Sequence, residues 1–100
     1  MANTFKVITR AAATTSASTV YTVPSATTTL INSIVVTNTA ASAATYTISF
    51  NDVAIATSTA IAANDAVTID LKQVLVATNT VKTHASATTV NFHISGLEIS

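Results

Sequence analysis

His84 and His93 are the only histidines in the chain, and they are its best candidates for chemistry near neutral pH. Val81, Thr83 and Ala85 alternate with Lys82 and His84, and Val90, Phe92 and Ile94 alternate with Asn91 and His93. If the segment 86–89 closes a hairpin, Ala85 faces Val90, Thr83 faces Phe92 and Val81 faces Ile94 on the buried side. His84 then faces Asn91 and Lys82 faces His93 on the other side, so the imidazoles become diagonal neighbours. Zinc needs a third protein ligand, no Cys, Asp or Glu is near in sequence, and Lys82 repels a cation. The expectation is therefore a surface or interface patch, with a mild pH effect on assembly. Asp52, Asp65, Asp70 and Glu98 are scattered, two of them in turns, and form no acid–base pair. Ser is frequent, but Gly96 is the only glycine, so neither a G-x-S-x-G nucleophile elbow nor a phosphate-cradling loop is present. Thr-x-Thr triplets recur at Thr37, Thr45, Thr57 and Thr78 at irregular intervals, too uneven for a solenoid that orders water. The residues point away from catalysis, with no catalytic, cofactor-binding or metal-ligating set and no cofactor.

The composition sharpens that reading. Among 100 residues there are 21 Thr, 19 Ala and 10 Ser, and 49% are hydrophobic. Only 8% are charged, against a usual ~25%, and the net charge is zero. The absence of Cys excludes a disulfide framework and thiolate chemistry. Neutral charge and five aromatic residues give no basic stacking surface for nucleic acid. Apolar runs such as Ile34-Val35-Val36 are far shorter than the roughly 20 residues of a membrane-spanning helix. The opening MANTFKVITR lacks the apolar stretch of a secretory leader and reads as a first strand through Phe5, Val7 and Thr9.

β-Branched Thr, Val and Ile favour strands throughout. Val20–Val23 stops at Pro24, Leu30–Thr37 is longer, and Tyr46, Ile48 and Phe50 alternate with Thr and Ser. Asn51-Asp52 has the residue types of a type I′ two-residue hairpin, with Phe50 opposite Val53 and Ile48 opposite Ile55. Asn64-Asp65 turns into a strand with Val67, Ile69 and Leu71 inward. Lys72-Gln73 breaks the pattern before a short piece, Val74–Ala77, and a turn at Thr78-Asn79. After Ile94 the apolar phase slips, and a bulge at Ser95-Gly96 would return Leu97 and Ile99 to the core. About eight short strands without a convincing helix predict one domain over 1–100, an antiparallel two-sheet β-sandwich of immunoglobulin-like or jelly-roll-like type. Phe5, Tyr21, Tyr46, Phe50 and Phe92 are expected to supply much of the core volume.

Four Lys/Arg are too few to guard every exposed strand edge, so the fold or neighbouring subunits must cover them. Zero net charge also favours association. The expected interface comprises Asn3, Thr4, Phe5, Lys6 and Val7 with Lys82, His84 and His93. Residues 1–12 serve as an N-terminal arm or edge strand reaching a neighbour, and a homo-oligomer follows.

Several segments resemble small virion structural proteins of tailed bacteriophages, especially those infecting marine bacteria and cyanobacteria. They are Met1-Ala2-Asn3-Thr4-Phe5-Lys6, Thr19-Val20-Tyr21-Thr22-Val23-Pro24, Ile34-Val35-Val36-Thr37-Asn38-Thr39, Ile61-Ala62-Ala63-Asn64-Asp65 and Leu97-Glu98-Ile99. The chain departs from that pattern at Thr78-Asn79 and in having no Gly after Pro24. The resemblance implies a virion component assembled in the host cytoplasm, partnered by the major capsid protein or other virion proteins, with no nucleic acid or membrane. A capsid decoration or cement protein fits best; a neck, tail or fibre-associated subunit is the alternative. A carbohydrate-binding adhesion domain fits less, because the chain has no Trp platform.

Overall fold

The β-branched runs form eight strands in the computed structural model, which describes residues 3–100. They are β1 (Asn3–Ala12), β2 (Ser18–Thr22), β3 (Thr28–Asn38), β4 (Ala44–Phe50), β5 (Val53–Ile61), β6 (Asp65–Leu75), β7 (Thr80–Ala85) and β8 (Val90–Ile99). Two antiparallel sheets of four result, the first in the order β1-β8-β3-β6 and the second β2-β7-β4-β5. Among the described residues β4–β5 is the only consecutive pair that shares a sheet; every other connection crosses the sandwich. This interleaved order is that of an eight-stranded jelly roll and settles the choice against the immunoglobulin-like arrangement.

The core lies between the sheets. Ile31, Ile34, Val36, Val90, Phe92 and Ile94 come from the first sheet, Ile48, Ile61 and Val81 from the second, and all are essentially inaccessible. Tyr46 of β4 meets Phe92 of β8 edge to face across the interior, with ring centroids 6.3 Å apart at 76°. Val23, just before Pro24, is buried and exchanges backbone hydrogen bonds with Thr78 and Asn79, closing the end of β2 against the β6–β7 turn.

The Asn51-Asp52 turn has the expected form. Both residues have positive φ, 50° and 64°, and Phe50 pairs with Val53. Beyond that the register differs from expectation: Ser49 pairs with Ala54 and Ile48 with Ala56, so Ile55 is an extra residue. Ile48 is buried while Ile55 is 41% exposed, because β5 is an edge strand whose bulge turns Ile55 away. Asn64 also takes positive φ, 52°, at the turn into β6. Lys72-Gln73 marks a bulge rather than an end: β6 continues to Leu75, with extra residues between Asp70 and Gln73 opposite the single Asn32.

Three further expectations are corrected. β7 and β8 do not form a hairpin; they lie in different sheets, and 86–89 crosses between them. Phe5 is 89% exposed instead of in the core, since the extra residue Ile8 in β1 turns Ile8 inward and leaves Phe5 outside. The slip near Gly96 is absorbed by the neighbours, not by β8 itself. Ile8 is the extra residue on β1 and Asn32 on β3, while β8 keeps its phase, with Gly96 buried and Leu97 and Ile99 half-buried on the outer side. A Cβ on Gly96 would stand 2.3 Å from the Leu30 carbonyl oxygen, so the close approach of β3 requires glycine here.

Candidate functional site

Strand register defines the outer face of the first sheet. Phe5 pairs with Leu97, Leu97 with Leu30 and Leu30 with Val74, so four large apolar side chains form one row across all four strands. The facing is fixed by the neighbouring residues: Glu98 and Thr29 point inward, where both meet the Tyr21 hydroxyl of the second sheet, so Leu97 and Leu30 must point out. The ends of the row are the most open, Phe5 at 89% and Val74 at 63% exposure. Val7 and Val76 extend the exposed apolar surface, and Ile99, between Asn3 and Thr28, lies on the same face. Beside the row a shallow depression is lined by Phe5, Lys6, Val7, Asn32, Ser95 and Gly96. No charged side chain belongs to the row. A row of apolar side chains on an outer sheet face, half-buried at Leu97 and Leu30 and open at Phe5 and Val74, is an interaction surface by physical expectation.

Beneath it, on the inner side, sits a polar cluster. The Tyr21 hydroxyl donates to Glu98 Oε2 at 2.5 Å and lies 2.8 Å from Thr29 Oγ1, and Lys6 Nζ lies 3.3 Å from the same carboxylate. Burial, then the adjacent carboxylate, pushes the Tyr21 hydroxyl up to about 12. The hydrogen bond from Tyr21, aided by Lys6, holds the Glu98 carboxyl below its ordinary value against the opposing effect of burial. The cluster joins the edge strands β1 and β2 to β3 and β8.

The expected interface set is divided by the fold. Asn3, Phe5 and Val7 lie on the outer face; Thr4 and Lys6 alternate to the other side, where Lys6 meets Glu98. Residues 3–12 pair with β8 as an edge strand, not a detached arm, while Met1 and Ala2 lie outside the described residues. His93 is exposed on the first sheet between Arg10 and Val35, and half-buried His84 lies on the second sheet opposite Thr47. The histidines therefore occupy opposite outer faces, and the proposed patch with Lys82 does not form. Lys82 instead contacts Asp52 at 2.6 Å across the β4–β5 turn. Among the described residues no group of three His, Cys, Asp or Glu comes together.

Asn38, directly after the apolar run Leu30–Thr37, is 2% exposed at the end of β3. Its amide nitrogen donates to the Ser42 and Ala62 carbonyls at 2.9 and 3.3 Å, and its Oδ1 accepts from Ala40 N–H and Thr89 hydroxyl, both at 3.1 Å. The sequence signal was an Asn directly after a strongly apolar strand; two of its partners, Ala40 and Ser42, are local, while Ala62 and Thr89 are remote in sequence.

No protein family, curated protein or solved structure matches this chain.

Proposed function

We propose that this chain is a bacteriophage virion structural protein, and specifically a capsid decoration protein that binds the outer shell in many copies and stabilises it. The observation that carries the reading is the outward-facing Phe5–Leu97–Leu30–Val74 row, exposed at both ends, on a chain with only eight charged residues. Such a surface is suited to being covered by a neighbour through apolar and hydroxyl contacts. Two features support it: the jelly-roll strand order, frequent in capsid and lectin domains, and the sequence resemblance to phage virion proteins. Fold order alone does not carry function. The aromatic platforms of a glycan-binding site are reduced to one exposed ring, Phe5, as Tyr46, Phe50 and Phe92 are buried and Tyr21 is tied to Glu98.

The test is titration of purified protein onto particles lacking it, at low and at ~0.5 M salt, where charge steering is screened within a few ångströms. Full occupancy at both salts is expected, and Phe5→Asp with Val74→Asp should abolish it. Loss of occupancy at the higher salt overturns the apolar interface. Quantitative mass spectrometry of virions separates shell from neck or tail: a copy number in proportion to the major capsid protein means decoration, one in proportion to the tail proteins the alternative.

A further inference from the structure

We infer that copies of this chain associate edge to edge, with β1 of one copy adding to β6 of the next so that the first sheet runs on through successive subunits. β1 and β6 are the two edges of that sheet and its longest free ladders, 10 and 11 residues. The four strands alternate in direction from β1 to β6, so a second copy's β1 meets β6 antiparallel, as every neighbour in the sheet does.

Three matches specify this pairing over others. The apolar row ends in Phe5 on one edge and Val74 on the other, so continuing the row sets Phe5 directly opposite Val74 of the adjacent copy and covers its two most exposed members. The edges are also complementary in charge. β1 carries Lys6 and Arg10 with no acid, while β6 carries Asp65 and Asp70 with one Lys. Arg10, Asp65 and Asp70 have no ion-pair partner within the chain among the described residues. The row through Arg10, His93, Val35 and Thr68 continues to place Arg10 opposite Thr68 of the next copy, diagonal to Asp70. Finally, the extra residues of the two edges, Ile8 on β1 and the pair between Asp70 and Gln73 on β6, flank one row of the sheet, that of Val7 and Asp70, so the two kinks fall at adjacent levels. Pairing β1 with a second β1 would bring Lys6 and Arg10 against like charges. The second sheet offers less: β2 has only five residues and β5 is bulged twice, with Ser58 at positive φ. Head-to-tail contact of this kind closes into a ring or extends as a strip, according to the rotation per subunit.

The inference concerns the purified chain alone and stands independently of the virion reading. The chain has no cysteine, so introduced thiols report contacts without background. Phe5→Cys and Val74→Cys alter exposed positions and leave the fold intact. Mixed and gently oxidised, the two variants should form a heterodimer far in excess of either homodimer, since facing residues in an antiparallel pair suit disulfide geometry. The double variant should give a ladder of covalent multimers. Adding Arg10→Glu to the Phe5→Cys chain should lower the heterodimer yield roughly fivefold, the effect of about one cross-strand ion pair. Asp70→Lys in the Val74→Cys chain should restore it. Homodimers in excess, yields no higher than those of an Ala41→Cys control, or failure of the charge exchange to restore the yield would each overturn the pairing.

Discussion

Asn38 ties three separated stretches of chain to the end of β3, holding the Ala40–Ser42 loop, Ala62 and Thr89 through one carboxamide. Because it is buried, its loss leaves carbonyls and a hydroxyl without partners, and Asn38→Ala should destabilise the fold by about 2–4 kcal/mol in urea unfolding, with little change in m-value. Tyr21 and Glu98 make a second residue-scale prediction, this one about pH. Tyr21 ionises near 10 when unfolded and at about 12 when folded, so its contribution is complete below pH 10 and is lost as pH rises towards 12. The Glu98 carboxyl is depressed in the folded state, so its contribution is present above the ordinary carboxylate value and is lost as pH falls through the lowered one. Absorbance titration of the phenolate in a Tyr46→Phe variant should show the late Tyr21 midpoint. A Tyr21→Phe protein should lose the alkaline part of the stability profile.

At the scale of elements, the β4–β5 hairpin and the β8 crossing of β3 make opposite demands on backbone. The turn holds Asn51 and Asp52 at positive φ, so Asn51→Gly should stabilise by tenths of a kcal/mol to ~1 in thermal melts. Asp52→Gly gains the same relief but loses the Lys82 contact, an exposed pair of small worth, and should be near neutral. Gly96 has no such latitude. Its missing Cβ is what admits the Leu30 carbonyl, and Gly96→Ala should cost about 2–4 kcal/mol because the obstacle is backbone that cannot turn aside. Equal stability of Gly96→Ala and wild type would refute this account of the β3–β8 approach.

The whole molecule is an elongated slab, 45 × 21 × 17 Å, whose broad first-sheet face carries the apolar row and whose two long edges carry opposite charge. Truncating residues 3–10 tests how that surface is built. Those residues pair with β8 and supply buried Ile8 and the Lys6 contact to Glu98, so the truncated chain should be less stable as well as unable to assemble. Circular dichroism melts alongside particle binding separate the two effects. An unchanged melting temperature would show that β1 contributes to assembly alone.

Strand content, the approximate strand number and the Asn51-Asp52 turn were legible in the sequence, because β-branching and positive φ act within a few residues. The alternation of Val81–Ala85 and Val90–Ile94 also marked their inward sides correctly. Which strands pair was not legible. A connection as short as 86–89 serves a hairpin or a crossing between sheets equally well, and the choice depends on β1, β2, β3 and β4 waiting as partners. The same reason explains the histidines: each lies outward as alternation requires, but on different sheets. Phe5 and Leu97 changed sides because extra residues at Ile8 and Asn32 shift the register between strands remote in sequence. Local sterics wrote the strands and one turn into the sequence; only the pairing of distant strands decided which apolar side chains became core and which became surface.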